Sequence, residues 1–274
     1  MRIHAIQTGV VSVKHTFRTL AGPAWARQLT MLLDRSWTEW LPIYVWVIEH
    51  PEGIILVDCG ETSRITDSDY ANCDRLTHFT YRRLLKFRVE EHEEIGPQLT
   101  QLGINPNDVR WLILTHLHSD QAGGLPYFPR ARIMVSRQDF TEPHQGSLPC
   151  RWPDWFRPYL VEYLPQSLGA FTLGHQVTRA GDLFIVPTPG HSPGHQSVML
   201  WENGLCYLFA GDATFNQSQL LKGQVAGICQ NVAAAQHTIQ RLCSHVAQVG
   251  TVYLPTHDPD APRRLAAQST APRL

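Results

Sequence analysis

The sequence predicts a layered α/β fold that carries a polar site at the ends of its strands. Three observations lead there. Short, nearly continuous apolar runs recur and end in polar loops; a stretch with helical spacing lies between two of them; and no low-complexity linker or repeat divides the 274 residues. That length can bury a sizeable core, so a single domain over 1–274 is expected.

The elements follow in order. Residues 2–8 and 43–48 read as strands, and the second pairs with 54–57 across the turn Pro51-Glu52-Gly53, a hairpin that ends at Asp58-Cys59-Gly60. A helix is expected over 93–102, stopped by Gly103. Residues 109–114 form an apolar run typical of a strand buried on both faces, and its end delivers the chain into Thr115-His116. The pattern recurs where 183–186 leads to Pro189-Gly190-His191, 206–209 to Gly211-Asp212, and 252–254 to Thr256-His257-Asp258. Between the last two runs, Val232, Ala235, Ile239, Leu242 and Val246 recur at spacings of three and four, which argues an amphipathic helix. From Pro262 a short helix and then a frayed tail are expected.

Composition narrows the function. With 43% hydrophobic and 17% charged residues the chain is globular rather than disordered. A net charge of −1, from 23 Lys+Arg against 24 Asp+Glu with no basic run, lacks the footprint of nucleic-acid binding. No run of about 18 apolar residues exists, and the start Met1-Arg2-Ile3-His4 lacks the apolar stretch of a secretion signal. A cytoplasmic protein with no membrane partner is therefore expected. The cysteines Cys59, Cys73, Cys150, Cys206, Cys229 and Cys243 include no C-x-x-C pair. Neither a zinc ribbon nor a disulfide framework is expected, and most read as small buried hydrophobes. The 14 histidines instead direct attention to metal.

The segment Thr115-His116-Leu117-His118-Ser119-Asp120-Gln121-Ala122-Gly123-Gly124 packs two imidazoles and a carboxylate at the end of a buried strand. A solvated loop does not explain that density. Taken singly, His191 reads equally as turn chemistry and Asp212 as a strand-end cap. Their joint appearance at successive strand ends favours metal.

These residues, in this order, resemble the metallo-β-lactamase superfamily over roughly 2–260. The match comprises Asp58-Cys59-Gly60, the H-x-H-x-D-H region at 116–121, Pro-Gly-His at 189–191, Gly-Asp at 211–212 and His257. The resemblance implies an αββα sandwich with the metal site at the strand ends on one edge. Gly-Asp-Ala-Thr at 211–214 and Pro-Thr-His-Asp at 255–258 look most like the N-acyl homoserine lactonase branch. Carried over, His116, His118 and His191 would hold a first cation, Asp212 would bridge, and Asp120 and His257 would serve a second. One or two zinc ions per chain are implied.

Two positions depart from the family pattern. Gln121 stands where the family has a third histidine for the second cation. That leaves an oxygen-rich set of Asp120, Asp212 and Gln121 beside one imidazole, which weakens zinc and is kinder to manganese or iron. Phe215 stands where lactonases of this branch usually carry a tyrosine, so that hydroxyl donor is missing.

Other residues read more plainly. His195 is expected to support the site rather than to ligate, Asp58 either to orient a ligating histidine or to cap, and Asp258 to shape a turn. His4, His15, His50, His78, His92, His144, His175, His237 and His245 show no ligand spacing and read as surface or packing residues. Two aromatic stretches, Phe17, Trp25, Trp37 and Trp40, then Trp152, Trp155, Phe156, Tyr159 and Tyr163, have two readings: core under long loops, or walls of an apolar pocket over the metals.

The reading that unites these signals is a metal-dependent hydrolase in which a metal-bound hydroxide opens an ester-like carbonyl, most naturally a lactone, with Asp120 as the proton-transferring group. The partner is then a small molecule with an apolar portion, and a homodimer is compatible with the sequence. Two alternatives stay open: a thioesterase of the glyoxalase II kind or a phosphoester hydrolase, and a non-enzymatic ligand binder on a decayed site.

Overall fold

The computed structural model describes residues 1–19, 27–71 and 73–273. Strands β1 (Arg2–Val13), β2 (Leu41–His50), β3 (Gly53–Val57), β4 (Leu85–Arg88), β5 (Val109–Ile113), β6 (Arg132–Ser136) and β7 (Tyr159–Val161) form one sheet, ordered β4-β1-β2-β3-β5-β6-β7. The second sheet contains β8 (Leu164–Leu168), β9 (Phe171–Gln176), β10 (Leu183–Pro187), β11 (Gln196–Glu202), β12 (Leu205–Gly211) and β13 (Thr251–Pro255), ordered β13-β12-β11-β10-β9-β8.

Period-two alternation decides the layering. Trp46, Ile48, Ile55 and Ile113 of the first sheet meet Ile185, Val198, Phe209 and Leu254 of the second. Their neighbours Val45, Val47 and Leu112 face the other way, against Ile95 and Leu99 of the helix Ile95–Gln101. Behind the second sheet, Val186, Leu208 and Tyr253 lie under Ile239, Leu242 and Val246 of the helix Val232–Gln248, whose first turn is capped by the Asn231 side chain. The result is the αββα sandwich. Strand β2, buried along almost its whole length, reads as a continuous apolar run because both of its faces are covered.

Direction places the site. Strands β3 and β5 are parallel, as are β12 and β13, and β10 runs with β12 because each is antiparallel to β11. The carboxyl ends of these strands carry Asp58, Thr115-His116, His191, Asp212 and His257. Side chains far apart in sequence thus meet at one edge of the sandwich.

Several expectations change. Strand β1 continues past 8 to Val13, with an irregular register between Gln7 and Val10 that lets its second half pair with β4. The helix expected over 93–102 is a 3-10 turn, Glu91–Glu93, followed by Ile95–Gln101, because Pro97 has no N–H to give the Glu93 carbonyl. The tail after the helix Ala261–Ala266 is pinned rather than frayed: Ala271 is buried against the second sheet and its N–H donates to the Thr251 carbonyl at 2.8 Å.

A further correction concerns the cysteines. Cys59 and Cys206 are buried as expected, but Cys73 and Cys150 form a disulfide across 77 residues of sequence. Disulfides are rare where cellular thiols are kept reduced, so this pair and the cytoplasmic expectation pull in opposite directions. No helix among the described residues is long and apolar enough to cross a membrane.

Both readings of the aromatics are met, in different residues. Trp152 and Phe156 pack with Phe140 outside the first sheet, Tyr159 and Tyr163 pack against the inter-sheet core, and Trp155 is exposed. Trp37 lies under the ammonium groups of Lys14 and Lys86 at 3.5 and 4.1 Å. Only Phe17 of the described aromatics in these two stretches reaches the cavity described below. Trp25 lies outside the described residues.

Candidate metal centre

The donor atoms of His116, His118, His191 and Asp212 all lie within 4.8 Å of one another. His191 Nε2 is 3.0 Å from His118 Nδ1 and 3.2 Å from His116 Nε2. What stands behind each ring decides what faces inward. His118 Nε2 donates to the Gln145 carbonyl at 2.9 Å, and His191 Nδ1 to the Ile228 carbonyl at 3.1 Å. His116 Nδ1 donates to Thr115 Oγ1 at 3.1 Å, whose own hydrogen goes to the Asp58 carboxylate. A neutral imidazole carries one N–H, so all three inward nitrogens present lone pairs to one another. Burial, reinforced for His116 and His118 by the neighbouring imidazoles, lowers the pKa of these rings and keeps them neutral. Three converging lone pairs need a cation between them, and the donor set therefore fits one.

Asp58 supports this arrangement from the end of β3. Its backbone has φ of 63°, a left-handed conformation that Asp tolerates better than most residues. Its carboxylate accepts from Thr115 N at 2.7 Å as well as from Thr115 Oγ1. The carboxylate thus acts on His116 through Thr115.

A second group adjoins the first. Asp212 Oδ2 stands 3.5 Å from His191 Nε2 and 3.3 Å from His257 Nε2, and His257 Nε2 is 3.4 Å from Asp120 Oδ2. His257 Nδ1 faces the Pro42 carbonyl at 2.8 Å. Burial alone would lower the pKa of His257, but Asp212 and Asp120 outweigh it and hold the ring up at about 9. Burial raises Asp120 to about 6 against the pull of His257, whereas the surrounding imidazoles hold Asp212 below the usual carboxylate range despite its burial. Gln121 is fully buried here; its Nε2 is 3.5 Å from Asp212 Oδ1, and its Oε1 has no partner. An orphaned amide oxygen beside two carboxylates and an imidazole suits a second cation with a preference for oxygen donors.

His195 does not join the cluster. Its Nδ1 meets Thr188 and its Nε2 accepts the Asp212 N–H at 3.0 Å, so it fixes the backbone that carries Asp212. Asp258 accepts from Gln217 N and pairs with Arg264 at 2.6 Å. Sequence reasoning missed three contributors. Asp139 accepts from Ser192 Oγ and Gly194 N and so holds the loop bearing His191; His144, read as packing, stands with its ring 5.3 Å from that of His118; and Tyr81 reaches the loop behind His118. No spacing signal links these residues to the motifs.

A cavity of about 740 Å³ opens beside His118, Asp120, His191, Asp212 and His257. Val13, Phe17, Leu84, Leu85, Phe87 and Phe215 supply apolar wall. Phe215 packs with its ring centroid 5.8 Å from that of His257.

Comparison with known proteins agrees with this geometry. The family profile described as the metallo-beta-lactamase superfamily matches residues 38–245. The chain is 26% identical to the N-acyl homoserine lactonase AttM of Azorhizobium caulinodans, over 81% of this chain and 83% of that protein. It is 30% identical to an N-acyl homoserine lactonase of Bacillus cereus over 58% of each. Among solved structures, an N-acyl homoserine lactone hydrolase with N-hexanoyl-L-homoserine at its catalytic metal center matches with a TM-score of 0.76 at 22% identity, over 95% of this chain and 94% of that one. At that identity the likeness shows the fold alone. The profile covers most of the chain, and the chain belongs to the metallo-beta-lactamase superfamily.

Proposed function

We propose that this protein is a metal-dependent hydrolase that opens N-acyl homoserine lactones. The observation that carries this reading is the position of the cluster: converging imidazoles and carboxylates line a cavity that also has an apolar wall. A polar reacting head with an apolar tail fits such a site, and about 740 Å³ lies in the ordinary range for small-molecule pockets. The similarity to named lactonases supports the same substrate.

His116, His118 and His191 would hold the first cation, for which three imidazoles make zinc the natural occupant, with Asp212 shared. Asp120, Gln121, Asp212 and His257 would hold the second, more weakly for zinc and more favourably for manganese or iron. When bound, such cations lower the pKa of water and polarise a carbonyl oxygen.

The chain's own residues do the rest. Asp120 takes the proton of the attacking water as its oxygen adds to the lactone carbonyl carbon, and returns it to the ring oxygen as the carbon–oxygen bond breaks, leaving the open N-acyl homoserine. His257 and the His195-held backbone keep Asp120 and Asp212 in register. Phe215 offers no hydroxyl, so orientation of the substrate falls to the remaining polar groups and the cavity wall.

The test is a panel of lactone, thioester and phosphoester substrates against the metal-loaded protein, with Asp120→Asn as control. Lactone turnover lost in the variant is expected. Preference for thioester or phosphoester would replace the substrate assignment, and no turnover of any class would favour a binding protein.

A further inference from the structure

The imidazole of His118 is backed by a loop rather than by a strand. Gln145 O accepts its Nε2–H at 2.9 Å, and residues His118 and Ser147 form a β-bridge. Gly146, with φ of +97°, lies so close that a Cβ there would come within 2.4 Å of His118 Cδ2. The orientation of the ring, and the nitrogen it turns inward, depend on where this loop sits.

Two links fix the loop to the helix Arg75–Leu84, which forms a wall of the cavity. Tyr81 donates its phenol hydrogen to Gly146 O at 2.5 Å, the same carbonyl that accepts Ser119 N–H at 3.2 Å. The disulfide Cys73–Cys150 joins the segment just before the helix to the end of the loop, and Arg151 donates to the Asp69 and Tyr70 carbonyls beside it. The side chain of Tyr81 is buried.

Resting on the metal-site reading above, we propose that Tyr81 is a positioning residue for His118. By holding Gly146 O, it keeps Gln145 O in place to accept the His118 Nε2–H and so aims Nδ1 at the cation. Outer partners of metal-ligating histidines are commonly worth about 10–100-fold in metal affinity, and Tyr81 sits one step further out.

The experiment compares wild type and Tyr81→Phe loaded with cobalt(II). Tyr81→Phe removes one oxygen and leaves Gly146 O its bond to Ser119, so the fold is retained and circular dichroism checks it. The expected result is an affinity for cobalt weakened about tenfold by chelator competition and a shifted visible absorption of the bound cobalt. Unchanged affinity and absorption overturn the proposal, and a raised KM in that case makes Tyr81 a substrate contact instead. Should Tyr81→Phe not fold, Tyr81→Met removes the same donor with a different side chain. The same weakened affinity and spectral shift are then expected, and an unchanged spectrum overturns the proposal. Wild type that binds no cobalt overturns the metal reading and this inference together, whereas wild type that binds with Tyr81→Phe identical overturns this inference alone.

Discussion

The two halves of the centre are built on different logic. On one side His116, His118 and His191 each have an oxygen behind them, and their inward nitrogens are fixed by hydrogen bonds to Thr115, Gln145 O and Ile228 O. On the other side Asp120, Gln121, Asp212 and His257 bring only one imidazole, and the amide oxygen of Gln121 has no partner at all. The first half is specified down to the tautomer and favours a borderline-soft cation, while the second is oxygen-rich and adjustable. One side chain, Gln121, makes much of that difference.

The largest effect that sharpens the contrast comes from Asp120→Asn. If Asp120 transfers the proton as proposed, its loss is expected to lower turnover by about 10²–10⁴-fold while the imidazole half still binds its cation; steady-state kinetics with metal counted on the same sample reads both. Near-normal turnover would remove Asp120 from the mechanism. Next, Gln121→His brings a second imidazole to the oxygen-rich half. Zinc affinity of the weaker position should rise by at least about tenfold, the low end of what even an outer partner contributes. An unchanged zinc titration would break the comparison at its root.

A third test uses Glu61, fully buried beside the cluster, whose Oε1 accepts from Thr62 N and Tyr70 and whose Oε2 has no partner. Burial raises its pKa from 4.5 to about 8. The folded state therefore holds a proton that the unfolded chain has released, so stability from this group is present below pH 4.5 and is lost progressively as pH rises to about 8. Glu61→Gln should flatten that loss, about 1.4 kcal/mol per pH unit, in denaturant unfolding across pH 5 to about 8. The smallest effect is expected from Phe215→Tyr, which places a hydroxyl on the cavity wall near His257. A new hydrogen bond to substrate of about 1 kcal/mol would lower KM by about fivefold, with cation affinity unchanged.

Legibility in the sequence followed burial. The runs that became β2, β3, β5, β10, β12 and β13 could be read because both faces are covered and the apolar residues are continuous. Strands β4, β8 and β9 could not, because they are short or half exposed and alternate apolar with polar residues. The histidine and aspartate motifs were visible because each sits at a strand end, and the structure places His116, His118, Asp120, Gln121, His191, Asp212 and His257 in one cluster. Tyr81, Asp139 and the Cys73–Cys150 bond were not, since each acts by tertiary contact across tens of residues with no local pattern.

The most direct test of the two-halved centre is the amount of metal per chain on protein purified without added metal, followed through a chelator titration alongside lactone turnover. One cation should resist the chelator and a second should leave first, with turnover falling as metal is lost. Protein that binds no cation even after reconstitution, or that opens lactones equally well without it, would contradict the account.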